Sequence, residues 1–392
     1  MSAKFLTAKL TDIAELNPPL GKKLPTEELV SFVPMASLSA ESASVETTQD
    51  RPYAEVAKGF TPFLDGDVLV AKITPCFENG KIAQARLPRS HGFGSTEFHV
   101  VRARSGITES RYLHHYLRLE EVRANGQRRM TGSGGQRRVP ASFLADLAVP
   151  LPPLEEQRRI AAILDQTETL RTQRRTALAL LDSLTQSLFL DMFGDPVANP
   201  KGFSKQPLSV VAEITTGSTP GRGADGYYGG NIPWVKTTEV TGGEIHDTEE
   251  KLTEAGLKAI RGKLHPINSI VVAMYGQGQT RGRCALLCIE ASCNQACGVI
   301  RPSEEFVPRF MFAQLLLAYE RLRALGRGGN QENLNLQLLG SFEVLVPPEV
   351  LQQTFATRIA SIEALKATHR RALAALDALF ASLLQRAFAG QL

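Results

Sequence analysis

Two segments of this chain repeat one pattern, and this repeat constrains the fold more than any other feature. Residues 149–194 and 344–389 each begin with a Pro-Pro pair and continue as one long run of periodic apolar residues. Gln157 of the first copy corresponds to Gln352 of the second, an offset of 195 positions in a chain of 392 residues, and the other matched positions keep this offset. Because the offset is close to half the length, the sequence predicts a tandem duplication.

Both copies have the spacing of a long amphipathic helix. Apolar residues recur alternately four and three positions apart, which is typical of a coiled-coil seam. The predicted seam consists of Ile163, Leu170, Ala177, Leu181, Leu184 and Leu188 in the first copy and Ile362, Leu365, Ala372, Leu376, Leu379 and Leu383 in the second. A helix of about 40 residues is about 60 Å long and needs a partner along its apolar side. We expect the two copies to pair antiparallel within one chain, because the residues between them must return the chain. Pairing between two chains is the alternative.

The segments before each helix have the texture of mixed α/β domains. Short apolar strands such as 66–73 and 268–274 alternate with Gly-rich loops, and helical stretches follow at 109–124 and 307–325. The predicted fold class is α+β: two related mixed α/β domains, each followed by a long α-helix, with pseudo-twofold symmetry. The predicted boundaries are 1–148 and 197–343 for the domains and 149–196 and 344–392 for the helical spacers.

The composition fits two globular domains and permits a nucleic-acid partner. Hydrophobic residues make up 43% of the chain and charged residues 21%, which is enough apolar content for buried cores. The formal net charge of +4 is mildly basic. The first residues lack the apolar stretch of a signal peptide, and no apolar run approaches the roughly 20 residues of a membrane span. We therefore expect a cytoplasmic protein.

Five cysteines argue against a disulfide framework, because the number is odd. Cys284, Cys288, Cys293 and Cys297 form two CxxxC pairs, which raises the question of zinc. Residues four apart on one strand are about 13 Å apart, whereas zinc holds its sulfur ligands at about 2.3 Å. The spacing therefore favours buried, reduced thiols and predicts no metal site.

Polar and basic loops at corresponding places in the two halves are candidates for DNA contact. Gly-rich basic loops precede each spacer, at 123–140 and 321–335, and shorter polar turns lie at 74–81 and 275–283. Glycine lets a backbone approach phosphate, arginine neutralises it, and Arg, Asn and Gln can each read purine edges. The candidate residues are Glu78, Asn79, Lys81, Arg128, Arg129, Gln136, Arg137 and Arg138 in the first half and Gln277, Gln279, Arg281, Arg283, Arg327, Asn330 and Gln331 in the second. Solvated loops and tight hairpin turns without a DNA partner are the alternatives.

The chain resembles the specificity subunits of type I restriction–modification enzymes over essentially its whole length. The strongest motif is PLPPLEEQRRIA within 149–166, whose second copy at 344–359 departs from the pattern in its EEQ core. The first domain contributes GDVLVAKITPCFENGKIA and GSTEFHVVRA to the resemblance. The second contributes GSTPGRG, YYGGNIPWVKTTEV and MYGQGQTRGRCALL.

The resemblance implies a chain that performs no chemistry itself. Such a subunit binds a bipartite double-stranded DNA target with an unread gap and uses its helices as a ruler and a docking site. It holds two modification subunits, which bring S-adenosylmethionine and methylate adenine, and these recruit restriction subunits with ATP and Mg. No cofactor is expected in this chain, and no membrane contact.

Two other functions remain as alternatives. An adenine methyltransferase is one, because Asn17-Pro18-Pro19-Leu20 resembles a tetrapeptide that grips a flipped adenine; however, leucine replaces its aromatic residue. The glycines at 221, 223 and 226 have the spacing of the dinucleotide-binding fingerprint, but the strand before it and the helix after it are missing. A coiled-coil scaffold protein without specific DNA binding is the other alternative, and it predicts weak, salt-insensitive DNA binding.

Overall fold

The computed structural model describes residues 5–21, 23–133, 135–223, 226–276, 279–325 and 333–392. The chain divides into two compact units: the first holds residues 1–176 and 370–392, and the second holds residues 177–369. Each unit therefore combines one mixed α/β domain with parts of both long helices. No helix within the described ranges is both long and apolar enough to span a membrane.

The first unit is built on two sheets. Its strands are β1 (Thr7–Lys9), β2 (Ala14–Leu16), β3 (Leu29–Val33), β4 (Gln49–Pro52), β5 (Thr61–Leu64), β6 (Val68–Ala71), β7 (Ile82–Gln84), β8 (His91–Gly94), β9 (Phe98–Ala103) and β10 (Ala148–Pro150). Its helices are α1 (Leu10–Ile13), α2 (Tyr53–Val56), α3 (Ser110–Leu117), α4 (Glu120–Arg128), α5 (Ala141–Ala145) and the first part of α6 (Leu154–Phe193). One sheet has the order β2-β9-β6-β7, the other has the order β4-β3-β8-β5, and β1 pairs with β10.

The second unit repeats the first of these sheets. Its strands are β11 (Lys205–Pro207), β12 (Ile214–Thr216), β13 (Tyr228–Val235), β14 (Glu244–Ile245), β15 (Glu250–Leu252), β16 (Ile270–Ala273), β17 (Cys284–Leu287), β18 (Ser292–Cys293), β19 (Cys297–Ile300) and β20 (Glu343–Leu345). Its helices are α7 (Leu208–Val211), α8 (Glu254–Ala259), α9 (Pro308–Leu317), α10 (Tyr319–Ala324), α11 (Leu336–Gly340) and the first part of α12 (Glu349–Phe388). The order β12-β19-β16-β17-β14 contains the counterpart of β2-β9-β6-β7, and the partner sheet is β15-β13-β18.

The central strand of each unit serves two cores. Successive residues of a strand point to opposite faces of the sheet. On β6, Val68 and Val70 pack with helix α3 in one core, whereas Leu69 packs with β3 and β5 in the other. On β16, successive side chains likewise pack alternately with α9 in one core and with β13 in the other. Burial on both faces explains why each central strand is a continuous apolar run.

A buried glutamine fixes each domain to its long helix. Gln157 is fully buried; its Oε1 accepts a hydrogen bond from the N–H of Glu109 (3.0 Å), and its Nε2 donates to the carbonyl of Pro152 (2.9 Å). Gln352 repeats this arrangement with the N–H of Val307 (2.8 Å) and the carbonyl of Pro347 (2.9 Å). Glu109 and Val307 directly precede α3 and α9. Each glutamine, at the start of a spacer helix, therefore accepts a hydrogen bond from a backbone N–H at the start of a domain helix.

The two long helices run antiparallel within each unit. In the first unit, Arg171 of α6 pairs with Asp377 of α12 (2.6 Å) and lies over the ring of Phe380 (4.5 Å). In the second unit, Lys366 of α12 pairs with Asp182 of α6 (2.7 Å). Each helix has 40 residues, as expected.

The predicted seam is wrong for four leucines. Leu170, Leu184, Leu365 and Leu379 are 39–48% exposed. On α6, the buried positions are shifted to Ile160, Leu164, Thr167 and Glu168. The buried face is shifted because α6 also packs against its own domain: Ile160 and Leu164 belong to the core of the first unit, and Glu168 pairs with Arg118 at the end of α3. A heptad pattern of apolar residues does not reveal these contacts. Leu188, Ile362 and Leu383 do pack against the cores of their units, and the remaining predicted positions are partly buried.

An ionic network joins α3 to α6 in the first unit. The single Nε–H of Arg111 is shared between both carboxylate oxygens of Asp165 (3.0 and 3.1 Å), and Nη2 of Arg111 donates to the same carboxylate. The buried His115 contacts it through Nε2 (2.7 Å). Arg118 pairs with Glu168 (2.6 Å). Burial raises the pKa of Asp165, but the hydrogen bonds from His115 and Arg111 outweigh it and lower that pKa to about 2.

Replacing one clamping glutamine is expected to destabilise the second unit. In Gln352→Leu, the N–H of Val307 and the carbonyl of Pro347 lose their partners, at a cost of about 1–3 kcal/mol for each group left buried and unsatisfied. The neighbouring Gln353 is exposed, so Gln353→Leu is the matched control. Thermal unfolding of the two variants would measure the difference, and equal midpoints would contradict a structural role for the Gln352 amide.

The Asp165 network makes a pH-dependent contribution to stability. Because the pKa of Asp165 is about 2 in the folded chain, below its ordinary value of 3.8, its stabilising effect is present above about pH 4. It is lost as the pH falls from about 4 towards 2. We expect Asp165→Asn to lower the thermal midpoint at pH 7 and the difference from wild type to shrink below pH 4. Asp191→Asn, at an exposed position of α6, is the control, and a difference that is unchanged at pH 3 would contradict the assignment.

Candidate nucleic-acid interface

The connecting segments of the second unit converge at one edge of its five-stranded sheet. Strands β12 and β16 end there, at Thr216 and Ala273, and β17 and β19 begin there, at Cys284 and Cys297. The segments 217–227, 274–283 and 294–296 therefore leave from the same edge. The segment before α11 joins them, because the N–H of Leu334 donates to the carbonyl of Met274 (3.1 Å). We call this the loop edge of the second unit.

The first unit has an equivalent loop edge. Strands β2 and β6 end there and β7 and β9 begin there, so the segments 17–28, 72–81 and 95–97 leave from it. The basic loop before α5 joins them: the N–H of Val139 donates to the carbonyl of Lys72 (2.8 Å), and the N–H of Thr74 donates to the carbonyl of Arg137 (2.9 Å). In the first unit, the two candidate segments predicted from sequence thus lie side by side. In the second unit, Leu334 places the end of the segment 321–335 beside Met274.

The opposite edge of the first unit faces the spacer. Strand β9 ends there at Ala103, and the chain that follows it carries Ile107 and Glu109, which hydrogen-bond with Gln157 of α6. The loop edge is therefore at the end of the sheet away from the start of α6, and its side chains are available to a partner.

The predicted basic loop at 123–140 is partly helical: α4 continues to Arg128, and a hairpin closed by Thr131 and Arg138 follows. The backbones of Thr131 and Arg138 bond to each other (3.0 and 2.8 Å), and the side chains of Arg128, Arg129, Gln136 and Arg137 are exposed. Arg138 instead donates to both carboxylate oxygens of Glu97 (2.8–3.1 Å). The Arg138 hydrogen bond holds the pKa of Glu97 below its ordinary value, against the opposing effect of burial, and the pair partly neutralises the charge of Arg138.

In the turn at 74–81 only one of the three candidates has a free, exposed side chain. Glu78 accepts a hydrogen bond from the hydroxyl of Thr74 (3.0 Å), and Lys81 donates to the carbonyl of Met35 (3.2 Å). Asn79 is exposed. Glu78 stabilises the turn from within and Lys81 ties it to the segment after β3, which leaves Asn79 as the candidate that faces a partner.

In the second unit, the turn at 275–283 packs against α10. The side chain of Gln279 is exposed and accepts a hydrogen bond from Arg283 (3.0 Å), while its carbonyl accepts one from the hydroxyl of Tyr319 (2.7 Å). Arg281 is partly buried. At Gly282, with φ of 84°, an added Cβ would lie 3.0 Å from the backbone nitrogen of Arg323, so glycine permits this close approach. The candidates Gln277, Arg327, Asn330 and Gln331 lie outside the described residues.

The structure also brings residues to the loop edge that sequence reasoning did not select. Arg222 lies in the segment after β12, where it pairs with Glu250 (2.9 Å) and lies over the ring of Tyr228 (4.7 Å). In the same segment, Thr219 hydrogen-bonds with Gln295 of the turn before β19. In the sequence, Arg222 lies in a Gly-rich basic loop that is followed by aromatic residues, which is a pattern that could have marked it as a candidate. Only the pairing of the strands, however, places this loop beside the other candidates.

Two motifs have structural roles instead of chemical ones. Asn17, with φ of 51°, accepts a hydrogen bond from the N–H of Val100 (2.9 Å) and contacts His99 (3.2 Å), so its amide holds β2 beside β9. Trp234, within the YYGGNIPWVKTTEV motif, is a buried core residue whose Nε1 donates to the carbonyl of Ser218 (3.1 Å).

All five cysteines are free thiols, three of them buried. The distance argument is wrong for Cys293 and Cys297, because a turn at 294–296 separates them and brings the two thiols together. Among the described residues, two groups have the composition of a metal site: Glu244 with His246 and Cys288, and His115 with Asp165 and Glu168. In each group the carboxylates already pair with arginine side chains, which weakens the case for a cation.

The fold and the duplicated loop edges define a class of two-domain proteins with helical spacers. The chain matches the model of the type I restriction modification DNA specificity domain twice, at residues 4–179 and 200–377. The chain therefore belongs to this family and carries its domain in two copies, which confirms the resemblance inferred from the motifs.

Curated relatives are named as specificity subunits. The EcoAI specificity subunit of Escherichia coli is 37% identical over 184 residues, which are 46% of this chain and 31% of that protein. The EcoEI subunit of the same organism is 36% identical with the same coverage, so the match spans about a third of the length of these relatives. The MjaIX specificity subunit of Methanocaldococcus jannaschii is 21% identical over 75% of this chain and 70% of that protein.

Solved structures confirm the fold class over the full length. An S subunit of a type I restriction-modification system from M. genitalium has a TM-score of 0.64 at 13% identity and covers 99% of this chain and 96% of that one. A chain from a study of type I R-M complex assembly has a TM-score of 0.59 at 17% identity, with coverage of 99% and 98%. Two related mixed α/β domains, each followed by a long helix that packs on the other, are thus the confirmed architecture.

The exposed arginines of the first loop edge are expected to contribute to DNA affinity through phosphate. Arg128 is exposed and contacts the side chain of Asn125, so Arg128→Ala removes a positive charge without opening a core. We expect weaker binding of duplex DNA and a log–log salt slope that is about 0.9 shallower for one lost phosphate contact. Fluorescence anisotropy at several salt concentrations measures both quantities. Arg158→Ala on α6 is the control, and equal effects of the two substitutions would contradict the interface.

Proposed function

We propose that this chain is the DNA-binding specificity subunit of a type I restriction–modification complex. One observation carries the proposal: each unit presents polar and basic segments at a loop edge, while a buried glutamine anchors the same domain to a long spacer helix. Each unit reads one half of a bipartite double-stranded DNA target. The DNA between the two half-sites is unread.

The partners in this proposal are modification and restriction subunits. The long helices keep several leucines at the surface, among them Leu180 at 64% exposure and Leu184 at 47%. These two leucines are one helical turn apart and so lie on the same face of α6, and contiguous exposed apolar surface marks sites of protein interaction. Two modification subunits dock on the duplicated scaffold and supply S-adenosylmethionine chemistry, and restriction subunits supply ATP- and Mg-dependent steps. The complex acts on DNA in the cytoplasm.

Mapping methylated adenines tests the proposal. DNA is sequenced from cells that express this chain together with its modification subunit, with cells expressing the modification subunit alone as the control. We expect methylation at a split motif, with two short defined halves and a fixed unread gap, only when this chain is present. A continuous motif, or the same methylation without this chain, would contradict the proposed function.

A further inference from the structure

We propose that Arg222 reads a guanine in the half-site bound by the second unit, an inference that rests on the proposed function. Arg222 lies in the segment 217–227, which leaves β12 at the loop edge. The candidate residues Gln279 and Arg283 lie on the neighbouring segment of the same edge, after β16. Arg222 therefore lies at the same loop edge as these candidates.

The segment that carries Arg222 is held in place by hydrogen bonds to the end of β18 and to the turn that joins β18 to β19. The N–H of Ser218 donates to the carbonyl of Cys293 (2.9 Å), and the hydroxyl of Thr219 bonds to the side chain of Gln295. Because that turn also bonds to Met274, the segment is fixed to the residues that begin the turn at 275–283. A reading side chain on this segment has a defined position.

An aromatic platform fixes the plane of the Arg222 guanidinium. The guanidinium carbon lies 4.7 Å from the ring centre of Tyr228 and 5.8 Å from that of Trp234. The two rings contact each other edge to face at 5.9 Å, and Trp234 is buried. Stacking on aromatic faces restricts a guanidinium that would otherwise move freely, so less entropy is lost when it binds a planar partner.

Glu250 orients the guanidinium and alters what it attracts. Nη1 and Nη2 of Arg222 donate to the two carboxylate oxygens of Glu250 (2.9 and 3.3 Å), and Lys236 donates to Glu250 as well (3.2 Å). A carboxylate beside the arginine repels phosphate, so the pair favours the neutral edge of a base over the DNA backbone.

The remaining donors of Arg222 match guanine. A guanidinium has five N–H groups, and Glu250 is the hydrogen-bond partner that the described part of the chain provides for it. The Arg222 side chain is 61% exposed, so the other N–H groups can reach a partner from outside. Guanine presents two adjacent acceptors, N7 and O6, in the major groove, and arginine is the side chain that most commonly binds both.

The experiment compares methylation motifs of wild type, Arg222→Ala and Arg222→Gln in cells that co-express the modification subunit. Wild type is expected to require guanine at one position of one half-site. Arg222→Ala should accept other bases there, with a loss of discrimination of roughly 5- to 150-fold, while the other half-site and the gap stay unchanged. Arg222→Gln should also lose the guanine preference and favour adenine, because glutamine binds N6 and N7 of adenine.

Arg301→Ala is the matched control. Arg301 is another ion-paired arginine of the second unit, but it pairs with Glu213 (3.4 Å) at the opposite end of β19. The methylation motif directed by Arg301→Ala should therefore equal that of wild type. An unchanged motif in both Arg222 variants, with wild type still methylating a split site, would overturn the inference and leave the proposed function standing. Uniformly weaker methylation with an unchanged motif would assign Arg222 to the DNA backbone and overturn it too. A wild-type chain that directs no split methylation would overturn both proposals.

Discussion

The arrangement of each domain on its spacer depends on one buried side chain, Gln157 in the first unit and Gln352 in the second. Each amide bonds at once to the start of a domain helix and to the proline-containing entry of the spacer. A buried amide with both ends satisfied is stabilising, whereas an apolar replacement leaves backbone groups without partners. Because this contact fixes one edge of the sheet against the spacer, the other edge is left to carry the recognition segments. The second spacer keeps this contact although it has lost the two preceding glutamates.

Duplication provides a constant scaffold for two different surfaces. The sheets β2-β9-β6-β7 and β12-β19-β16-β17 are equivalent, and in both the central strand divides its side chains between two cores. The partner sheets differ, with four strands in the first unit and three strands in the second among the described residues. The segments at the two loop edges differ as well, since a basic hairpin dominates one and an arginine on an aromatic platform belongs to the other. Similar packing beneath different loops is what the proposed reading of two unlike DNA sequences requires.

The spacers, the duplication and the mixed α/β domains could be predicted from sequence, because prolines, heptads and short apolar strands are local signals. Which face of each long helix is buried could not be predicted in the same way. Leu170 and Leu379 fit the heptad but are exposed. Glu168 is buried instead and pairs with Arg118 at the end of α3, and Arg171 pairs with Asp377 of α12. The juxtaposition of the candidate loops also depends on strand pairing between distant residues, which local signals do not show. The sequence therefore identified the turn at 74–81 but not the structural contacts of Glu78 and Lys81, and it did not identify Arg222.

The central claim is that the loop edge of each unit faces one DNA half-site, and photo-crosslinking tests it most directly. A photoreactive amino acid would replace Asn79 in the first unit or Gln279 in the second, both exposed at loop edges, in the complex bound to its target DNA. Arg104, exposed at the opposite edge of the first unit, is the control position. Our account predicts crosslinks from position 79 to one half-site, from position 279 to the other, and none from position 104. Crosslinks from position 104, with none from the loop edges, would contradict it.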